Sequence, residues 1–207
     1  MTALVQLYRK EQAVWDQKAA EHWAGDCVLA DALHLLGIEL SWSYPIIQGG
    51  DPDTMDFLEF GNNRHLWCYP VASYHHVKPG TIGALWYLTQ DWITTHSTEP
   101  LRHGDVFKEW ILPQMSHQQL DWDNLADLSV EGGQSCEDEW CCRVLCENNN
   151  TCVQYSYREK LCRTLGMPRL GVAKSDGSCS GWMMGRMHDL VKRLDKCDGE
   201  GHWVLPR

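Results

Sequence analysis

The sequence predicts an α/β fold followed by a small disulfide-rich module. Helical and strand-like hydrophobic patterns alternate over the first 92 residues. Eight of the ten cysteines lie in the last 72 of the 207 residues. A Gly-Gly-Gln-Ser run at 132–135 is typical of a linker between the two parts. We therefore expect one domain over residues 1–130 and a Cys-rich module with a terminal helix over residues 136–197.

The individual elements follow from apolar spacing and from the residues that interrupt it. Gly37 is placed to end the second helix, and Pro79-Gly80 separates a strand from the next helix. Helix 81–92 is expected to have an apolar face of Ile82, Leu85, Trp86 and Leu88. The polar stretch 93–135 is expected to wrap over the surface. Helices are predicted over 3–22, 27–36, 81–92 and 182–194, and strands over 38–42 and 69–77.

Charge and hydropathy exclude several classes of protein. With 18 Lys and Arg against 28 Asp and Glu, the net charge is −10. A nucleic-acid or anionic-membrane binder would show a basic footprint instead, so no nucleic-acid partner is expected. No apolar run approaches the ~18 residues of a membrane helix, and no apolar signal-peptide segment follows Met1.

The cysteines indicate disulfide bonds and an oxidising compartment. The alternative is a zinc module, but the spacings after Cys142 are three, five and nine residues, with no repeated C-x2-C pair. Asn149-Asn150-Thr151 is an N-glycosylation acceptor pattern, which has meaning only in the secretory pathway. A lumenal or extracellular setting is therefore expected, although this chain contains no targeting signal.

Asp26 is the first candidate catalytic residue, because it precedes the apolar run of the second helix. A carboxylate at a helix N-terminus is held ionised by the helix dipole and can act as a general base on a hydroxyl group. The alternative is a plain N-cap with no catalytic role.

His75-His76 at the end of a predicted strand is the second candidate. Adjacent strand residues point to opposite faces, so at most one of the two serves a given site. A neutral imidazole is a common ligand of transition metals. The alternative is a packed or hydrogen-bonded histidine.

The eleven tryptophans, against three phenylalanines, are the third unusual feature. Aromatic faces can contact sugar rings, and tryptophan also simply fills cores. The candidates are Trp23, Trp42, Trp67, Trp86 and Trp92.

Common nucleotide and catalytic motifs are absent: no G-x-G-x-x-G, P-loop, G-x-S-x-G or H-E-x-x-H occurs. Asp51-Pro52-Asp53 and Asp121-Trp122-Asp123 have the Asp-x-Asp spelling of a metal and nucleotide-sugar site. Neither follows a predicted strand, so neither is assigned to such a site.

Three segments together resemble the fungal branch of glycosyltransferase family 31, the fringe and core 1 β-1,3-galactosyltransferase group. Gly25 to Ala30 with Leu36-Gly37-Ile38 is similar to the family's acidic helix and following strand. Trp67 to Val77 is similar to its His-containing strand, and 101–108 with 122–125 to its C-terminal wrap. The tail, with its Val153 to Tyr157 segment between cysteines, resembles a PAN/apple-like module.

The resemblance implies a GT-A fold and an inverting enzyme of the Golgi, with a type II membrane anchor. It would transfer galactose from UDP-galactose to a glycan or glycoprotein acceptor, with Mn2+ on the diphosphate. Asp26 matches the base, and His75 matches a metal ligand. Trp23, Trp42 and His76 would contact the substrate. The resemblance also implies Cys142–Cys162 and Cys146–Cys152 bridges, and a Cys27–Cys68 bridge is expected near the site.

The family's nucleotide-binding half, with its Asp-x-Asp, and its anchor are not found in this sequence. We therefore expect the chain to be a C-terminal piece of such an enzyme, inactive alone and poorly soluble. The alternative function is a non-catalytic secreted, disulfide-rich protein that binds a carbohydrate or a protein.

Overall fold

The computed structural model describes residues 2–39, 48–58, 60–61, 64–97, 99–126 and 133–197. The chain divides into two compact units, one of residues 1–42 with 205–207 and the other of residues 43–204. The described part mixes helices and short strands, which agrees with the α/β prediction at that level.

The first unit is a set of three short helices that contact one another: α1 (Thr2–Lys10), α2 (Gln12–Glu21) and α3 (Gly25–Leu35). The single helix predicted over 3–22 is interrupted at Glu11, whose backbone leaves the helical region at φ −131°. Lys18 of α2 and Asp31 of α3 form an ion pair at 2.7 Å. Gly37 follows α3 at φ +72°, as expected of a residue that ends a helix.

The second unit begins with short strands and one long helix. The strands are β1 (Gln48–Gly49), β2 (Phe60–Gly61), β3 (Arg64–His65) and β4 (Ser73–Tyr74), with a 3-10 turn at Leu66–Cys68. β1 pairs with β4 in parallel, and β2 with β3 antiparallel. Helix α4 (Pro79–Thr95) begins at a proline, which suits the first helical turn.

Two predictions in this region are wrong in part. The strand predicted over 69–77 is reduced to Ser73–Tyr74, because the chain turns helical before it and adopts φ +56° at His76 after it. Helix 81–92 is present, but Ile82 and Trp86 of its predicted apolar face are 56% and 62% exposed. The strand predicted over 38–42 lies mostly outside the described residues, and the described part of it is not a strand.

Residues 103–114 form continuous helical turns: α5 (His103–Val106), a π-helical turn (Phe107–Ile111) and a 3-10 turn (Leu112–Gln114). Val106, Phe107 and Ile111 are fully buried, so the prediction that 93–135 wraps over the surface is wrong. These three residues are spaced by one, four and five positions, as on one face of a helix. The pattern is too short to predict a helix within a polar segment.

Residues 119–197, which include the Cys-rich segment 136–197, form a five-stranded antiparallel sheet, a separate two-stranded sheet and two helices. The seven strands are β5 (Gln119–Leu120), β6 (Trp122–Asp123), β7 (Gln134–Ser135), β8 (Gln154–Arg158), β9 (Leu161–Leu165), β10 (Val172–Ala173) and β11 (Cys179–Trp182). The sheet order is β5-β11-β8-β9-β7, and β10 pairs separately with β6. Helix α6 (Glu139–Asn148) precedes β8, and α7 (Met184–Leu194) confirms the predicted terminal helix.

One apolar core joins the two sides of position 130. It combines Phe57, Trp67 and Phe107 with Trp182 and Met187, all at most 1% exposed. The indole of Trp67 lies where a side chain at position 104 would stand, so only glycine fits there. The boundary between the two compact units therefore lies near residue 42. This division differs in kind from the predicted ranges 1–130 and 136–197. Those ranges stay a prediction.

Four disulfides close the fold. Cys142–Cys162 and Cys146–Cys152 are the two pairs that the PAN-like resemblance implied. Cys136–Cys141 and Cys68–Cys197 complete the set. The expected Cys27–Cys68 bridge is wrong, because Cys68 is bonded to Cys197 at the end of α7, whereas Cys27 is a free, exposed thiol. Cys179 is also free and is buried.

Candidate functional site

Asp26 lies in the first turn of α3, and its carboxylate is exposed to solvent. Its Oδ1 accepts the backbone N–H of Cys27 at 2.9 Å. The N-cap position belongs to Ala24, so the interpretation of Asp26 as a plain N-cap is wrong. The carboxylate remains within the turn where the helix dipole favours a negative charge. This arrangement suits an accessible base, and that role stays a prediction.

The candidate tryptophans include exposed and buried residues. Trp23, just before α3, is 95% exposed, so it does not fill a core. Trp67 is 1% exposed and belongs to the core of the second unit. Trp42 lies outside the described residues. Trp23 therefore remains available for substrate contact, whereas Trp67 has a structural role.

His75 and His76 lie in the second unit, and both are exposed. The backbone N–H of His75 donates to the carbonyl oxygen of Gly49 at 2.9 Å, which extends the β1–β4 pairing by one step. His76 has φ +56°, and the two rings meet edge to face with centroids 5.6 Å apart. The expectation that they point to opposite faces is wrong, because the left-handed backbone at His76 ends the strand there.

An aromatic pair, of the partly buried Tyr74 and the buried His103, lies at this strand end. The rings of Tyr74 and His103 meet edge to face at 5.7 Å. A Cβ at Gly49 would come within 2.8 Å of the Tyr74 ring, so glycine is required for this close approach. Burial raises the pKa of Tyr74 far above its usual range, so its hydroxyl stays protonated. The pair fixes the position of the strand that presents His75.

The sequence analysis missed a cluster of charged residues that follows β1. Asp51 is 8% exposed, and its Oδ1 accepts the backbone N–H of Asp53 at 3.1 Å. Asp53 Oδ2 lies 3.6 Å from Nζ of Lys78 and accepts the hydroxyl of Thr81 at 3.4 Å. One residue, Gly50, separates Asp51 from Gly49, whose carbonyl oxygen accepts the backbone N–H of His75.

The surroundings of Asp53 disfavour the ionised form of its carboxyl group. Burial raises the pKa of its carboxyl, and the negative charge of Asp51 raises it further. The ammonium of Lys78 and the indole of Trp110 lower the pKa, but do not cancel the increase. A half-buried carboxylate beside a second one is a common feature of functional sites. The Asp-x-Asp spelling of residues 51–53 was the available signal, and it was left unassigned because no strand was predicted before it.

The expected metal site is not assembled by the described residues. Among them, no group of three or more His, Cys, Asp or Glu side chains could hold a metal ion. The imidazole ring of His75 lies beside that of His76, with the ring centroids 5.6 Å apart. The described residues therefore supply no ready Mn2+ site, and no step is assigned to the metal.

No known protein family, curated protein or solved structure matches the chain. Within the described residues, no helix is both long and apolar enough to cross a bilayer.

Proposed function

We propose that this chain provides the acceptor side of an inverting, UDP-sugar-dependent glycosyltransferase similar to family 31. The donor would be a UDP-hexose such as UDP-galactose, and the acceptor a hydroxyl of a glycan or glycoprotein in the Golgi lumen. The GT-A fold, the Mn2+ on the donor diphosphate and the membrane anchor of the longer form belong to this proposal.

The observation that carries the proposal is the exposed carboxylate of Asp26 in the first turn of α3. Its hydrogen bond from the Cys27 amide orients the group without removing it from solvent. In the proposed reaction, Asp26 takes the proton of the acceptor hydroxyl as that oxygen bonds to the anomeric carbon. The bond from that carbon to UDP breaks, and the configuration inverts. Trp23 is exposed two residues before the helix and would contact the acceptor.

The test is a transfer assay with UDP-galactose, Mn2+ and a panel of glycan acceptors. It is run on this chain and on a form that continues upstream of Met1. We expect transfer from the longer form only. Asp26→Asn should lower its kcat by about 10²–10⁴-fold, the usual contribution of a general base. Asp31→Asn on the same helix is the matched control, because its carboxylate pairs with Lys18 at 2.7 Å.

A second candidate is a non-catalytic carbohydrate- or protein-binding role for the Cys-rich segment. Trp140 on α6 favours it, since the ring is 61% exposed and the guanidinium of Arg143 lies 5.4 Å from the ring centroid. An exposed aromatic face beside a cation can contact a sugar or a peptide. Binding of immobilised glycans that is lost in Trp140→Ala but kept in Trp92→Ala would support this function over the transferase.

A further inference from the structure

Asn149 lies in an exposed turn between α6 and β8. Residues 147–151 are all exposed, and Asn149-Asn150-Thr151 has the N-glycosylation acceptor pattern. Eight of the ten cysteines are bridged, which is typical of a protein that folds in an oxidising compartment. N-linked glycans are added in that same compartment. The exposure of Asn149, its acceptor pattern and the disulfide bridges therefore all indicate folding in that compartment.

The side chain of Asn149 is arranged so that its nitrogen is free of the turn. Its Oδ1 accepts both the backbone N–H of Thr151 at 3.0 Å and the Thr151 hydroxyl at 2.8 Å. No described residue accepts a hydrogen bond from Nδ2. A glycan replaces one hydrogen on Nδ2 and leaves the amide oxygen unchanged. Both Thr151 hydrogen bonds can therefore persist, and the folded turn can carry a glycan.

The same turn is tightly closed. Cys146 and Cys152 are bridged, with their Cα atoms 5.3 Å apart. Arg186 Nη1 lies within 2.9 Å of the carbonyl oxygens of Cys146, Asn149 and Cys152, and Nη2 donates to that of Glu147 at 2.6 Å. Six residues of extended chain would span roughly 20 Å. The bridge thus prevents this segment from leaving the turn to enter another protein's active site as an extended strand.

We propose that Asn149 carries an N-linked glycan and that the glycan is added before the Cys146–Cys152 bridge closes. The co-reactant is an oligosaccharide linked to a lipid diphosphate. Nδ2 of Asn149 forms a bond to the anomeric carbon, the bond from that carbon to the diphosphate oxygen breaks, and Nδ2 loses one proton. The lipid diphosphate is the leaving group. This inference does not depend on the proposed transferase function.

The site is tested by expressing the full chain behind a cleavable signal peptide in eukaryotic cells. Treatment with an amidase that removes N-glycans should increase the gel mobility, and mass spectrometry should place the resulting Asp at position 149. Asn149→Gln and Thr151→Ala should lose the shift. Asn148→Gln is the matched control, because it changes an adjacent exposed asparagine outside the pattern, and it should keep the shift. A chain without a glycan, or with the glycan at Asn150, would overturn the proposal.

The order of events is tested in a Thr151→Ser background, where a poorer acceptor leaves part of the chains without a glycan. Removing the bridge with Cys146→Ala and Cys152→Ala, which creates no new acceptor pattern, should raise the glycosylated fraction. The matched control removes the other short bridge of the segment, with Cys136→Ala and Cys141→Ala, and should leave the fraction unchanged. An equal fraction with and without the Cys146–Cys152 bridge, or an equal rise in the control, would overturn the proposed order.

Discussion

The first unit and the Cys-rich segment are stabilised in different ways. Of residues 3–39, Trp15 alone is buried, and α3 buries no residue. In the Cys-rich segment, all four residues of β11 are buried, and Cys142, Cys146, Cys152 and Cys162 are at most 1% exposed. Burial of side chains offsets the entropy lost on folding. The candidate base therefore lies on the scaffold with less buried surface, and the Cys-rich segment is both more buried and cross-linked.

Removing the Cys142–Cys162 bridge should destabilise the second unit more than the loss of the Arg186 or Gln154 contacts. The bridge closes a loop of sequence separation 20 in the buried core. Replacing both cysteines with alanine should lower the free energy of unfolding by about 3 kcal/mol. The measurement is urea unfolding followed by tryptophan fluorescence. Cys27→Ser, which changes a free and exposed thiol, is the control. A loss as large in the control would show that the two regions do not differ as described.

Arg186 should contribute nearly as much, because its guanidinium binds the carbonyl oxygens at the end of α6. Arg186→Met keeps much of the side chain's length but loses the donors, and should cost about 2–3 kcal/mol in urea unfolding. Arg143→Met is the control, since it breaks a part-exposed pair with Glu147 at 2.9 Å and a contact with the exposed Trp140 ring, together worth about 1 kcal/mol. Equal effects of the two variants would contradict the proposed role of the carbonyl contacts.

Gln154 tests the buried polar contacts of the sheet. Its Nε2 donates to the carbonyl oxygen of Asn124 at 2.7 Å, and its Oε1 accepts the backbone N–H of Arg169 at 2.7 Å. Gln154→Leu leaves both groups without that partner and should cost about 1–3 kcal/mol. The exposed Gln90→Leu, on α4, should be close to neutral. A neutral Gln154→Leu would mean that the sheet adjusts its packing around the change.

Asp53 should show the smallest effect and the opposite sign. Because burial and Asp51 raise the pKa of this carboxyl, the folded chain binds its proton more tightly than the unfolded chain. The charge therefore destabilises the fold above the folded pKa, and the cost disappears as the pH falls below the unfolded value of about 3.9.

Asp53→Asn should accordingly raise Tm by about 1–3 °C at pH 7. The gain should vanish in acid, as thermal scans between pH 3 and pH 7 would show. The exposed Asp91→Asn is the control and should show no such trend. If Asp53→Asn lowers Tm at pH 7, the contact with Lys78 outweighs the burial of the charge.

The sequence predicts long periodic helices better than short strands. Helices α3, α4 and α7 and the ending at Gly37 were predictable, because apolar spacing and glycine act locally. The strand predicted over 69–77 is too long, and only Ser73–Tyr74 is a strand. The positive φ at His76, which ends it, is not indicated by any local sequence pattern. The buried helical turns at 103–111 were missed, since Phe107 is buried by residues distant in sequence.

The site was predictable only in outline. A resemblance sufficed for the Cys142–Cys162 and Cys146–Cys152 pairs, because both are local in sequence. The Cys68–Cys197 bridge spans 129 residues and was not predictable from spacing. The contact of Asp53 with Lys78 was missed for the same reason: the pairing of β1 with β4 brings distant residues together.

We propose Asp26 as the base of a UDP-sugar-dependent transferase. Its most direct test combines calorimetry of UDP with Mn2+ and the transfer assay, on the form extended upstream of Met1 and on its Asp26→Asn variant. We expect equal UDP affinity for the two and loss of transfer in the variant. Transfer at the unchanged rate by Asp26→Asn, or no UDP binding by the extended form, would contradict it.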